Sequence, residues 1–389
     1  MWSASWGGRL VTVLLCLVAG ALAGGIAGWY SAHVSVEPQI LGLERIFRDQ
    51  LTTVRPPTAS SSVEVVSVAP PPPRPDYPEI FLNRSVSPVL TLVRRATGAK
   101  GESGLVTPER IVGSVISLTS DGWFVTSVTT LGNLRLNELS VSWRGRTYPV
   151  VQGVRDTATG AVFLKASVTG LPVTNLVRAN EVLPGTPVWV ESLSGHIRPS
   201  MITSVRARAT STIAVVSEVA TRQFLLADLV PEANGGAVWN SRGDLLGVLA
   251  RERVTDLPRV LPANNIIQAL QSLLNEREIR HASLGVRAVD LSQAVFDDDR
   301  RPGILGAWIT SLSPTLSTFL PQSPATTALK ENDVILRIER DLLDGGADLG
   351  ERLLDYRPGS AVMIYGTRNG VPFQAPVTLG TVVTSEVLK

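Results

Sequence analysis

Sulfur is nearly missing from this chain: its 389 residues hold one cysteine, Cys16, and three methionines. A single thiol excludes an intrachain disulfide framework and a cysteine-based zinc site. Histidine is almost as scarce. His33, His196 and His281 stand far apart, so no two have metal-ligand spacing, and few side chains remain to act as a base near neutral pH. No metal and no cofactor are therefore expected. Charge is balanced, with 36 Lys plus Arg against 34 Asp plus Glu and no long basic run. That argues against a nucleic-acid partner. Apolar residues, at 44%, are plentiful enough to bury cores in two or three domains and to exclude wholesale disorder.

The apolar residues are densest near the start. Residues 10–30 carry no charge and, at about 1.5 Å per residue, just span a hydrocarbon layer of about 30 Å. Trp2 and Trp6 flank one end, Trp29 and Tyr30 the other, as interfacial aromatics do. Arg9 and the amino terminus favour a cytoplasmic segment at residues 1–9 and an extracytoplasmic remainder. The alternative, a signal peptide cut after Ala21-Leu22-Ala23, competes with an apolar stretch that runs on to the aromatic end. Gly20, Gly24 and Gly28 recur every four residues, a spacing that lets a second helix approach closely. Residues 31–84 read as a stalk: a short amphipathic pattern through Ile40, Leu43, Phe47 and Leu51, then proline-dense stretches that form an extended spacer without a core.

From residue 85 to 278 the texture changes to short β-rich runs broken by turns. Candidate strands are 112–118, 123–128, 139–143, 148–154, 161–166, 187–191, 212–219, 236–239 and 245–250, and an amphipathic helix follows at 262–277. Even strand spacing without a long helix until the end predicts an all-β barrel or sandwich. Three ordered segments then resemble the HtrA (Deg) family of trypsin-like serine proteases. They are Ser120-Asp121-Gly122-Trp123-Phe124-Val125-Thr126, the stretch from Asp156 to Lys165, and Pro231-Glu232-Ala233-Asn234-Gly235-Gly236 with the Asn240-to-Val248 turn and strand behind it. The resemblance implies a mainly β fold with two six-stranded chymotrypsin-like barrels side by side.

The same resemblance puts the family's histidine at Thr129, its aspartate at Gly160 and its serine at Asn234. An amide cannot form an acyl-enzyme, a threonine hydroxyl is no base near neutral pH, and glycine has no side chain to orient one. Glu232 and Ala233 stand in the oxyanion loop, with Glu232 where the family has a glycine. His196, in Ser192-Leu193-Ser194-Gly195-His196, is the alternative base; its bland reading is a solvent-facing loop residue. The expectation is a pseudoprotease, not an enzyme.

Residues 279–389 read as strands at 306–312, 361–365 and 373–379, a short helix, turn and strand within 322–338, and a helix at 347–354. Their order resembles the α+β PDZ domain that follows the protease domain in HtrA proteins. A PDZ domain binds a peptide C-terminus as an added strand, and backbone amides before that strand hold the carboxylate. Carried over, that loop is Ser283, Leu284, Gly285 and Val286. The implied protein is an inner-membrane, single-pass binding or assembly subunit with its globular part in the periplasm. Its expected partners are peptide C-termini or proteins at the PDZ domain, with a homo-trimer or a hetero-oligomer with an active paralogue also implied. An active hydrolase with an unorthodox site is the rival. A PDZ groove filled by its own polypeptide would instead mark a structural module.

Overall fold

The computed structural model describes residues 81, 86–95, 105–179, 182–208, 212–228, 234–251, 257–294 and 305–389, all within one compact unit, Pro73–Lys389. The expected membrane helix with Gly20, Gly24 and Gly28 lies outside them, as do nearly all of the stalk and Glu232 and Ala233. Among the described residues no helix is long and apolar enough to cross a membrane.

Alternating apolar side chains close the first barrel. β1 (Val89–Arg94), β2 (Ile111–Ser117), β3 (Trp123–Ser127), β4 (Leu139–Trp143), β5 (Arg146–Asp156) and β6 (Ala161–Ala166) pair antiparallel in the order β5-β4-β1-β2-β3-β6, and β5 meets β6 to complete the ring. Successive side chains of a strand point to opposite faces. Val115, Phe124, Val162 and Leu164 thus fill the barrel, while Ile116, Val125 and Phe163 point out of it. β3 is nonetheless buried along its whole length, because its outer face packs against the second barrel.

That barrel uses β7 (Pro187–Glu191), β8 (Ile197–Arg208), β10 (Arg222–Leu226), β11 (Ala237–Trp239), β12 (Leu245–Arg251) and β13 (Pro258–Pro262), closed in the order β10-β13-β12-β11-β7-β8. The intervening β9 (Ala214–Val216) takes no part in it. Trp239, Leu245, Val248 and Leu261 meet Ile116, Trp123 and Phe163 in a core between the barrels. Each such side chain is worth roughly 1.5–3 kcal/mol when fully buried. Two helices follow from local sequence. α1 (Val128–Leu131) is a single turn capped by the Ser127 side chain. α2 (Ala263–Glu276) lays Ile266, Ala269, Leu270 and Leu273 on the inter-barrel core and ends at Arg277 in the left-handed region, whose N–H returns to the Leu273 carbonyl.

The C-terminal module starts with β14 (Arg280–Ser283) and β15 (Arg287–Asp290). It continues with β16 (Ala307–Ile309), β17 (Val334–Ile338), β18 (Asp341–Leu342), α3 (Leu349–Leu354), β19 (Ala361–Arg368), β20 (Val371–Thr378), β21 (Gly380–Val383) and β22 (Ser385–Val387). Its main sheet runs β20-β19-β17-β16-β15-β9. Two strands therefore cross between modules. The sequence groups 212–219 with the strands of the first domain, but β9 pairs antiparallel with β15 instead. β22 leaves the C-terminal module and pairs with β5 of the first barrel, Ser385 opposite Asp156 and Val387 opposite Val154. Period-two patterning fixes which face of a strand is buried but not which strand is its neighbour.

Candidate functional site

A cleft of about 620 Å³ opens between the barrels. Thr129 and Gly160 line it from the first barrel, Arg259 and Leu261 from the second, and Val219, Ala220 and Thr221 form a third wall. Thr129 is half-buried on α1, where the Ser127 cap holds it: the two hydroxyls are 2.9 Å apart. Ser127 Oγ also lies 2.9 Å from Thr130 Oγ1, which donates to Asn234 Oδ1 at 3.0 Å. The series is thus hydroxyl to hydroxyl to amide, with no ionisable group in it. Gly160 joins from the backbone, its carbonyl accepting from Val128 N at 3.0 Å. Thr129 and Gly160 line one side of the cleft, and Asn234 joins them through Thr130 without lining it. Glycine is required next to Asn234: Gly235 has φ +77°, and a Cβ there would stand 2.2 Å from the Ser114 carbonyl.

The histidines lie elsewhere. His196 is exposed in its loop. His281 is 3% exposed on β14, and its Nε2 is 3.0 Å from Asp156 Oδ2 at the end of β5. Thr159 Oγ1 donates to the same oxygen at 2.7 Å, and Ala158 N to Oδ1 at 3.1 Å. Burial works to raise the Asp156 carboxyl. The hydrogen bond and charge of His281, with the Thr159 hydroxyl, outweigh it and hold Asp156 below its ordinary value. This pair ties the C-terminal module to the turn that carries Gly160. The sequence hides it, because the two residues are 125 positions apart.

The second candidate site is the loop between β14 and β15. Leu284 and Val286 are fully buried in the module core, and Ser283 is half-buried. Gly285 has φ +72°, and a Cβ there would come within 2.8 Å of Ser323. Gly285 N and Ser283 Oγ both donate to Glu218 Oε1, each at 2.6 Å. The sequence gives Glu218 no role; only the strand pattern of residues 212–219 is legible there.

No family model matches the protein. Curated relatives do. It is 25% identical to the periplasmic pH-dependent serine endoprotease DegQ of Escherichia coli over 39% of its length. It is 24% identical to a probable periplasmic DegP-like serine endoprotease of Halomonas elongata over 73% of its length, and 24% identical to the serine protease Do-like HtrA of Lactococcus lactis over 48%. The protein is similar to the HtrA serine proteases. It spans 46% of the Lactococcus relative, 33% of DegQ and 58% of the Halomonas one. Among solved structures, the HtrA-type protease AlgW aligns over 79% of this protein and 98% of its own length. With a decapeptide the TM-score is 0.52 at 18% identity, and with a tripeptide 0.54 at 17%. At that identity the likeness is one of fold. The HtrA-like protein has the two closed six-stranded barrels that the family resemblance implies.

Proposed function

We propose that the HtrA-like protein is a pseudoprotease: a membrane-anchored, non-catalytic binding or assembly subunit whose globular part lies in the periplasm. The observation that carries this reading is the neutral hydrogen-bond series from Thr129 through Ser127 and Thr130 to Asn234, at the positions matching the family triad. A nucleophile needs a base within hydrogen-bond reach. Here hydroxyls bond to one another and to an amide, and Gly160 offers only its backbone. Residues 279–389 are a PDZ domain in this reading, with the 283–286 loop as carboxylate holder and the groove between β15 and α3 as the peptide site. Protein C-termini are its partners, in a homo-trimer or beside an active paralogue.

The test is casein cleavage, together with fluorophosphonate labelling, by the purified full-length protein in detergent. The wild type is expected to show neither. Cleavage that stays with the protein through successive columns and is lost on Asn234→Ala would overturn the reading. A triple variant Thr129→His, Gly160→Asp, Asn234→Ser shows whether the cleft still holds the remaining machinery. Mass spectrometry of the proteins that co-purify from membranes names the partner.

A further inference from the structure

The groove between β15 and α3 is occupied by the polypeptide itself. β9 runs antiparallel along β15, with Val216 opposite Arg287 and Ala214 opposite Val289. Its direction is that of a bound C-terminus, because it advances toward the 283–286 loop. Beyond the paired residues, Ser217 N donates to Val286 O at 2.8 Å and Val286 N to Ser217 Oγ at 3.2 Å. The next residue, Glu218, turns its carboxylate into the loop and is 6% exposed. One oxygen, Oε1, accepts from Gly285 N, Ser283 Oγ and Ser217 Oγ; the other, Oε2, is buried without a partner. Burying a carboxylate is costly unless donors meet it, so a strand that merely packed two modules together would have no use for one here.

The helix side of the groove is shaped for the same segment. Gly350 of α3 carries no side chain where a Cβ would stand 2.2 Å from the Val219 carbonyl. Thr221 donates through N and Oγ1 to Asp348, the cap of α3, at 2.9 and 2.7 Å. Arg222, 2% exposed, donates to the Gly345 carbonyl and lies 3.6 Å from Glu351. The space left between β9, β15 and α3 is about 30 Å³, room for roughly one water.

We infer that residues 214–222 are an intramolecular ligand of this groove, with the Glu218 carboxylate standing in for the carboxylate of a C-terminal residue. The inference rests on the PDZ reading above. It names the ligand class: a free C-terminus preceded by small or β-branched residues, as Ala214, Val215, Val216 and Ser217 are. Such a peptide must displace the tethered segment, whose effective concentration is on the order of millimolar, and its apparent affinity falls by the fraction of open grooves. Displacement also removes Val219, Ala220 and Thr221 from the wall of the inter-barrel cleft.

The test uses the full-length protein in detergent and a fluorescein-labelled peptide, Thr-Ile-Ala-Val-Val-Ser with a free carboxylate. Anisotropy gives its Kd for wild type and Glu218→Gln, and hydrogen exchange follows the amides of 286–290. The expected result is at least tenfold tighter binding to Glu218→Gln, with faster exchange at 286–290 that slows again when peptide is added. Equal Kd for wild type and variant would overturn the intramolecular ligand and leave the PDZ reading standing. Faster exchange in the variant with no peptide binding to either protein would overturn the PDZ reading and make the segment a strut. Should Glu218→Gln not fold, Gly350→Ala crowds Val219 without touching the loop, and the same outcomes apply.

Discussion

The cleft between the barrels and the groove of the C-terminal module are in opposite conditions. The cleft is open, about 620 Å³, and Thr129 and Gly160 on its wall, with Asn234 behind Thr130, offer only neutral groups. The groove keeps its donors, Gly285 N and Ser283 Oγ, and is filled. Side chains carry the chemistry of a protease, and in the proposed reading Thr129, Gly160 and Asn234 lack it within barrels that still close. Strand addition and carboxylate capture rest mostly on backbone, which the fold supplies whatever the side chains. The segment joining the two sites is 214–222, which fills one and walls the other.

The largest expected effect comes from breaking the joint behind both sites. Asp156→Ala leaves the His281 imidazole buried without its hydrogen-bond partner, which costs about 1–3 kcal/mol. Urea unfolding should show that loss. Acid should act on the wild type in the same way. The Asp156 carboxyl is held below its unfolded value of 3.8, so its contribution is present above that pH and disappears as pH falls through the folded value. The slope should vanish in Asp156→Asn.

A second pH dependence of opposite sign is expected at Glu351 of α3. Burial, aided by the Asp348 carboxylate and opposed by the Arg222 guanidinium, pushes Glu351 up from 4.5 to about 8. The fold then prefers the protonated acid, so stability declines as pH rises from 4.5 through about 8. Thermal melts across that range should show the decline, and Glu351→Gln should flatten it.

Gly350→Ala sets two smaller terms against each other. Alanine gains about 1 kcal/mol of helix propensity over glycine. Its Cβ meets a backbone carbonyl that cannot swing aside, and overpacking costs about 1–3 kcal/mol. A net loss of about 1 kcal/mol is expected, with exchange faster at 214–221 than elsewhere; a net gain would mean that the segment does not press on α3.

Gly160→Asp should do least. Its φ of +80° disfavours a side chain, but aspartate tolerates this region better than most, and Val128 Cγ1 at 3.6 Å leaves room. A loss of about 1 kcal/mol or less is expected, with no cleavage of casein, because a restored carboxylate has no imidazole to orient.

Much of the fold was legible in sequence. The strands at 139–143, 161–166 and 187–191 have the bounds their patterns predict, and α2 falls within one residue of its expected ends. Of the barrel strands, β1, β8, β10 and β13 are missing from that reading. Arg222 at the head of β10 is buried only because Glu351 and Gly345 of another module meet it, and prolines at both ends of β13 read as punctuation. Of the candidate sites, Thr129, Gly160, Asn234 and the 283–286 loop are marked by motifs. Glu218, Gly350 and the Asp156–His281 pair are not, because each acquires its role from a partner more than 60 residues away.

Residue order alone dictates the local features: which runs alternate and so become strands, where glycine or a cap ends them, and which residue types stand at 129, 160 and 234. That β9 leaves its own barrel for β15, and that β22 returns to β5, is settled in three dimensions. Edge strands offer the same row of N–H and C=O groups whatever their side chains. Their pairing follows from which elements the packed cores bring within reach.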